Sequence, residues 1–261
     1  MPQAKGYVDA DYLAIAGSMM VPTKEHSYEL MRLQPGSRVL DLGCGPGTDT
    51  LRLGEIVGAA GEVHGADHDA SMVAQANQRA EAAGLGSRVT HRQADAGALP
   101  WPDGTFDASR SERMFQHLLD PERAFSELVR VTRPGGWVVV LDGDWSTFTV
   151  ESDEIEIERR LVRFHAEHMV NNPYSGRRLS RMFRSRGLRD ISIDVWPVLI
   201  TDYALARRIA RLDQIEREAL AAGVIDEAQA GRWRASLERA ASIDGFFAST
   251  NGVTVAGRKA D

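Results

Sequence analysis

Short apolar runs alternate with amphipathic segments between residues 38 and 142. The first run, Val39 to Leu42, is apolar except for Asp41, which is typical of a strand buried on both faces of a parallel sheet. The later strands of this region are predicted to end at Asp67, Asp95, Glu112 and Asp142. Helical segments separate these strands, so the pattern predicts an α/β fold.

The segments on either side of this region are predicted to be mainly helical. Residues 7–20 and 23–33 have amphipathic patterns, and Thr23 is expected to cap the second helix. The predicted elements after residue 150 are a helix at Ser152–Val170, a helix at Arg177–Arg186, a strand at Asp190–Ile200, two or three helices within 203–242, and strand segments Gly245–Ser249 and Val253–Arg258 separated by a turn at Asn251-Gly252.

Glycines at alternate positions follow the first strand: Gly43, Gly45 and Gly47. Such a run lets the backbone turn sharply and approach a ligand closely, because no Cβ stands in the way. Thr48 or Asp49 is expected to cap the helix that follows. A strand, a glycine loop and a helix in this order predict a nucleotide site at the carboxyl end of the strand.

The glycine spacing indicates which nucleotide binds. A dinucleotide fingerprint needs a glycine at the sixth position counted from Gly43, but that residue is Thr48. The Asp41 carboxylate would repel a pyrophosphate, whereas it suits the ammonium and sulfonium of S-adenosylmethionine (SAM). The stretch Asp41 to Gly47 resembles the first motif of class I SAM-dependent methyltransferases, although a plain strand-to-helix turn is an alternative interpretation.

Two carboxylates downstream are candidates for holding the nucleoside. Asp67 ends the second strand 20 residues after Gly47, where an acidic side chain can accept both ribose hydroxyls. Its alternative role as a helix N-cap falls more naturally to Asp69, and His68 could pack on the adenine. Residues 95–107 resemble the Asp-Ala…Leu-Pro-Phe-Pro-Asp-Gly-Ser-Phe-Asp stretch of the family, which implies that Asp95 accepts the adenine amino group and the Ala96 amide serves a ring nitrogen.

The resemblance covers residues 37–144 and is similar to the ubiquinone and menaquinone methyltransferase branch. A second stretch that carries it is Val131 to Gly136, a helix-ending turn. The resemblance implies a Rossmann-like α/β fold with a seven-stranded, mostly parallel sheet and one antiparallel strand near the C-terminus. It also implies one domain over residues 1–261, with its core at about 36–145 and 177–261. The N-terminal helices at 7–33, with Tyr12 and Met20, and the insertion at 203–242 would form a helical cap.

The fourth strand departs from the family pattern, because residues 109–113 are heavily polar. Glu112 at its end could hold the methionine ammonium of SAM, since such residues face the ligand cleft in a parallel sheet. An internal salt bridge between Glu112 and Arg110 or Arg113 is the alternative.

Composition excludes several function classes. The chain has 261 residues, 43% of them hydrophobic, and a net charge of −6, which argues against a nucleic-acid substrate. No apolar run approaches the roughly 20 residues that span a bilayer. Cys44 is the only cysteine, so no internal disulfide forms and a cytoplasmic location is expected. The seven histidines have no metal-ligand spacing, and no metal site is expected.

The main hypothesis is a SAM-dependent methyltransferase that acts on a small molecule at O, N or C and releases S-adenosylhomocysteine. It is expected to act as a monomer or homodimer. One alternative is a protein or RNA methyltransferase, for which the sequence lacks a basic flank. The other is a SAM-binding fold without methyl transfer, such as a cyclase, because fold does not settle function.

A general base is needed only if the acceptor is a hydroxyl. His117 is the candidate, oriented by Asp142 or Asp144, because these residues follow neighbouring strands and should open onto one cleft. A hydrogen bond from His117 to backbone before the next turn is an equal alternative. The reserve candidates are Tyr174, His165 and His168.

Overall fold

The computed structural model describes residue 17 and residues 19–261, and a seven-stranded sheet lies at its centre. The strands are β1 Arg38–Leu42, β2 Glu62–Asp67, β3 Val89–Gln93, β4 Phe106–Glu112, β5 Thr132–Val150, β6 Arg189–Ile200 and β7 Ala248–Arg258. Their order in the sheet is β3-β2-β1-β4-β5-β7-β6. The predicted helix at 7–20, with Tyr12, lies almost wholly outside the described residues.

Helices connect the strands on both faces of the sheet. They are α1 Val21–Leu30, α2 Thr48–Val57, α3 Ala70–Ala82, α4 Pro121–Val131, α5 Ile155–Met169, α6 Ser175–Ser185, α7 Tyr203–Ile209, α8 Leu212–Ala221 and α9 Glu227–Ser242, with a 3₁₀ turn at Phe115–His117. In the described part of the chain, no helix is long and apolar enough to cross a membrane.

The sheet has the predicted class and topology. Strands β1 to β5 pair in parallel, and β7 is antiparallel to both of its neighbours, β5 and β6. The strand order reverses between β1 and β4, and a ligand crevice is expected at the carboxyl ends of strands at such a point. The prediction of a mostly parallel seven-stranded sheet with one antiparallel strand near the C-terminus is therefore confirmed.

Each face of the sheet has its own apolar core. On one face, Leu40 and Val138 pack with Phe125 of α4 and Phe183 of α6. On the other face, α1 and α2 cover residues of β1, β4 and β5. This covering of both faces explains why β1 reads as an almost continuous apolar run.

A third core joins the helices that follow β5. Residues of α5, α7, α8 and α9 pack together with Phe148 and Val150 at the end of β5 and Ala248 at the start of β7. Residues 203–242, predicted as an insertion of two or three helices, form α7, α8 and α9 of this cluster.

Several predicted boundaries were wrong. Strand β7 runs unbroken through Asn251-Gly252, where a turn was expected, because β5 and β6 flank it on both sides and extend it. Helix α1 starts after Met20 without a side-chain cap, and Thr23 is buried within it. Helix α2 starts after Gly47, so neither Thr48 nor Asp49 caps it.

The aromatic cluster around Phe125 provides a test of the first core. Phe125 is fully buried, with its ring 4.7 Å from that of Phe183 between centroids. The substitution Phe125→Ala should lower the free energy of unfolding by about 3–5 kcal/mol in urea titrations, because it leaves a cavity. Leu119→Ala is the control, since Leu119 is 92% exposed and should lose less than about 0.5 kcal/mol. Equal losses in the two variants would contradict this packing.

Candidate active site

The glycine loop lies at the carboxyl end of β1. Gly43 and Gly47 have φ angles of 79° and 80°, in the region that favours glycine. An added Cβ would lie 2.8 Å from Met114 Sδ at Gly43 and 2.8 Å from Ala76 Cβ at Gly47. The Gly43 amide donates to Ala66 O at 2.7 Å, which ties the loop to the end of β2. Both positions therefore require glycine.

Asp67 at the end of β2 is fastened to this loop. Its Oδ2 accepts a hydrogen bond from the Gly45 amide at 2.9 Å, and its Oδ1 accepts one from Asp69 N at 3.0 Å. His68 Nδ1 lies 3.2 Å from Oδ1, although the His68 side chain is largely exposed. Burial raises the pKa of Asp67, but these contacts outweigh burial and lower it overall. The group is therefore an ionised acceptor at neutral pH.

Asp95 and Ala96 follow β3, the next strand along the sheet edge. Ala94 N donates to Asp67 O at 2.9 Å, which keeps this turn beside Asp67. Asp95 is exposed, and its Oδ1 accepts from Gly97 N at 2.8 Å. Among the described residues, no hydrogen bond engages its other oxygen, which leaves acceptor capacity for a ligand.

A cluster of buried charges lies beside the loop, between β1, β4 and the helices that cover them. Arg110 on β4 is the partner of Asp41 in the β1–β4 register, with Nη1 3.3 Å from Asp41 Oδ1. Its guanidinium also contacts Asp49 of α2 at 3.2 Å and Glu112 at 2.6 Å. Lys24 of α1 lies 2.8 Å from Asp49 and 3.2 Å from Glu112.

The charges of this cluster decide where a proton resides. Burial raises the pKa of Asp41 to about 7, although Arg110 lowers it. Burial also raises the pKa of Asp49, but Arg110 and Lys24 outweigh it and hold that pKa well below its usual range. Burial of the Asp41 carboxyl therefore favours a proton on Asp41, while Asp49 stays ionised between Arg110 and Lys24.

In this geometry Asp41 and Glu112 contact charged residues of the protein itself, and their predicted ligand roles stay predictions. Asp41 is 2% exposed and paired with Arg110. Glu112 contacts Arg110, Lys24 and also Arg113, at 3.1 Å, so the internal salt bridge that was the alternative is what forms. Sequence reasoning missed Lys24 as a partner of Glu112 and Asp49 as a partner of Arg110. An arginine inside a central strand was the available signal.

A second feature is a cavity of about 150 Å³ between the sheet edge and the later helices. Its described lining is mostly apolar and comes from the chain before α1, the segment after β4, β5, α5, β6, the α7–α8 junction and β7. The lining includes Met19, Met20, Arg113, Gln116, His117, Leu141, Trp145, Phe148, His165, Val170, Val198, Ile200, Ile209, Arg211 and Asn251. Met20 thus lines a pocket, as a predicted cover residue would.

His117 lines this cavity in a hydrogen-bonded chain. Trp145 Nε1 donates to Gln116 Oε1 at 2.6 Å, and the Gln116 Nε2 amide lies 3.1 Å from His117 Nε2. An indole nitrogen only donates, so the Gln116 oxygen must face Trp145 and its amide must donate to His117. The Nε2 lone pair of His117 is therefore already engaged.

The two carboxylates expected to orient His117 hold other groups. Asp142 is fully buried and accepts from Gln116 N at 2.9 Å, Gly143 N at 2.8 Å and Ser175 Oγ at 3.1 Å. Burial raises its pKa to about 7, while these donors lower it. Asp144 accepts from Ser146 and Arg177. Asp142 therefore anchors the 3₁₀ turn to α6, and the orienting role of Asp142 or Asp144 stays a prediction.

The three reserve candidates for the general base do not lie together. His165 on α5 lines the cavity and is 4% exposed. His168, one turn later, is exposed, and its Nδ1 bonds Phe164 O at 2.9 Å. Tyr174 precedes α6 and lies under the guanidinium groups of Arg177 and Arg178. Of the three, only His165 is among the described cavity-lining residues.

Comparison with known proteins identifies the family. Residues 39–136 match a family model described as a methyltransferase domain. The demethylmenaquinone methyltransferase of Thermus thermophilus is 48% identical over 105 residues, which is 40% of this chain and 46% of that protein. Residues 39–136 therefore form a methyltransferase domain, and the chain is similar to class I SAM-dependent methyltransferases. The similarity to ubiquinone and menaquinone methyltransferases agrees with the predicted branch.

Other proteins match more of the chain. An uncharacterised 37.1 kDa protein in a Streptomyces fradiae transposon is 34% identical over 223 residues, 85% of this chain and 63% of that protein. The chain thus spans less than two thirds of these relatives' length. The YcgJ structure from Bacillus subtilis has a TM-score of 0.63 at 22% identity, over 91% of this chain and 99% of that one. The [4+2]-cyclase SpnF has a TM-score of 0.57 at 24% identity, over 92% and 82%.

The residues at the sheet edge fit SAM, the cofactor of this methyltransferase family. The loop with positive φ angles at Gly43, Gly45 and Gly47 turns at the carboxyl end of β1 and lies beside Asp67. Asp67 and Asp95 are acceptors at the ends of adjacent strands, and the ribose hydroxyls and the adenine amino group of SAM are donors. His68 and Ala96 lie beside these carboxylates, as predicted residues of the same site.

The buried proton on Asp41 gives a test by pH. The unfolded group has a pKa near 4, so between about pH 4 and pH 7 only the folded chain holds this proton, and its stability falls as pH rises. The Asp41→Asn variant does not titrate there. The unfolding free energy of Asp41→Asn minus that of the original chain should therefore increase by up to about 4 kcal/mol as the pH rises from about 4 to about 7. Urea titrations at each pH measure this difference.

Asp190→Asn serves as the control for this titration. Asp190 lies in an exposed pair with Arg258, so its variant should show no comparable trend. A pH-independent difference for Asp41→Asn would contradict the assignment of the proton.

Proposed function

We propose that this protein binds SAM at the carboxyl edge of β1, β2 and β3 and methylates a small molecule held in the cavity. The observation that carries the proposal is the segment between β4 and α4. Met114 packs against Gly43 of the cofactor loop, while Arg113, Gln116 and His117 of the same segment line the cavity. An acceptor in the cavity would therefore lie next to the cofactor.

The residues of this chain would act by holding the cofactor and by orienting the acceptor. SAM supplies a methyl group on a sulfonium, which is a good leaving group. The cavity walls exclude water from the acceptor, and the fixed segment after β4 sets its position, which accounts for much of the rate in such reactions. Asp67 and Asp95 would hold the nucleoside.

General-base catalysis by His117 remains a sequence-based prediction that the hydrogen-bond chain makes less favourable. Its Nε2 accepts from Gln116, which is fixed by Trp145. We propose that proximity and water exclusion carry the transfer. His117→Ala should then lower kcat by less than about tenfold, whereas loss of a general base would cost about 10²–10⁴.

A small acceptor fits the cavity better than a macromolecule. A cavity of about 150 Å³ is similar in size to one that holds benzene. The net charge of −6 argues against RNA. The proposal also includes a cytoplasmic location and a monomeric or homodimeric state, both of which were predicted from the sequence.

Thermal-shift titration tests cofactor binding. S-adenosylhomocysteine should stabilise the protein and NAD should not, since a ligand stabilises only the state that binds it. Asp67→Ala should lose most of this stabilisation, because ligand hydroxyls are left unpaired at a cost of about 1–3 kcal/mol. Asp153→Ala, in an exposed pair with Arg239, is the matched control. Equal stabilisation of the two variants would refute the role of Asp67.

Methyl transfer itself is tested with radiolabelled SAM and a fractionated cell extract. Label should enter the small-molecule fraction and depend on the protein. Label in protein or RNA would favour a macromolecular acceptor. Binding of S-adenosylhomocysteine without any label transfer would favour a role without methyl transfer, as the fold shared with a cyclase allows.

A further inference from the structure

His165 is a buried polar residue whose hydrogen-bonding groups have no partner among the residues that the structure describes. It lies on α5, is 4% exposed and lines the cavity. Neither Nδ1 nor Nε2 has a hydrogen bond there. A buried polar group left unpaired costs about 1–3 kcal/mol, so a ligand that pairs with it would recover that cost.

The surroundings of His165 offer rings rather than polar partners. Trp145 packs against it at 5.2 Å between ring centroids and 78°, and Phe148 at 5.7 Å and 50°. The indole N–H of Trp145 already donates to Gln116. His165 therefore adds an unpaired polar group beside two aromatic rings, and a few placed polar groups of this kind fix the orientation of an apolar ligand in a binding site.

The protonation state of His165 indicates the complementary group. Burial, and then the positive charge of Arg211, lower its pKa to about 4. The imidazole is neutral near pH 7, so one ring nitrogen donates and the other accepts. A hydroxyl can pair with either nitrogen, whichever tautomer is present.

The charges around the cavity argue against a cationic ligand. In its described lining, the charged residues are Arg113 and Arg211, and no carboxylate is among them. The nearby Asp142 and Asp144 are engaged by backbone, serine and arginine donors. An ammonium group in this cavity would therefore find no carboxylate partner among the described lining residues.

We propose that His165 recognises the methyl acceptor by hydrogen-bonding its hydroxyl group, and that the acceptor is a neutral, apolar alcohol or phenol whose inserted part is about the size of one ring. This rests on the proposed function for the assignment of the cavity to the acceptor. His165 is a specificity-determining residue in this scheme, because it selects hydroxylated over bare apolar molecules.

The test compares phenol and toluene as probes of the protein saturated with S-adenosylhomocysteine. Affinities are measured by isothermal titration calorimetry or protein NMR, with benzylamine as a cationic probe that should not bind. The informative quantity is the ratio of phenol to toluene affinity, because comparing this ratio between variants cancels the different hydration of the probes. His165→Phe should lower it about tenfold.

His168→Phe is the matched control, since it makes the same change one helical turn away on an exposed side chain. It should leave the ratio unchanged. His165→Phe should also raise the melting temperature, because it removes two unpaired buried nitrogens while keeping a ring of similar size. If His165→Phe does not fold, the ratio of phenol to toluene affinity is measured in His165→Leu instead.

An unchanged ratio in a folded His165 variant would overturn the proposal and would mean that a buried water satisfies the imidazole. Binding of benzylamine as tight as that of phenol would also overturn it. If the His165 variant lowers the ratio of phenol to toluene affinity but no methyl transfer is found, the proposed function is refuted and the hydroxyl preference of the cavity stands. The two outcomes are therefore distinguishable.

Discussion

The site depends on one buried cation, the guanidinium of Arg110. It lies on the central strand β4 and pairs with carboxylates of β1, α2 and β4 itself, while its charge also sits over the ring of Tyr28 in α1, 5.0 Å from the ring centroid. Removing one partner of such a cluster is costly, because the remaining charges cannot be solvated. The cluster therefore sets the position of α1 and α2 against the sheet, and with them the glycine loop that precedes α2.

The segment after β4 connects the ion cluster and the glycine loop to the wall of the cavity. Glu112 ends the strand within the ion cluster, and Met114 packs against Gly43. Asp142 then fixes the Gln116 backbone and the start of α6. The glycine loop, the cavity wall and the start of α6 are thus held by contacts along a few consecutive residues.

The fold and the cofactor edge could be predicted because they follow from local patterns. Buried strands, a glycine loop and carboxylates at strand ends each leave a signal in a few neighbouring residues, as Asp67 and Asp95 show. The pairing of Arg110 with Asp49 could not be predicted, because Asp49 lies 61 positions away and only the folded sheet brings the two together. The unbroken course of β7 through Asn251-Gly252 likewise depends on its neighbours β5 and β6, which override the local turn preference.

The position of Cys44, the only thiol of the chain, has a practical consequence. It lies within the glycine loop, is 7% exposed, and its pKa is raised by burial and by the charges of Asp41 and Asp67. A thiol in this setting is unreactive while the loop is closed, because only an accessible thiolate attacks a labelling reagent. The rate of its modification therefore measures how often the loop opens. Cys44 can therefore report opening of the glycine loop in the unmodified protein, without an introduced cysteine.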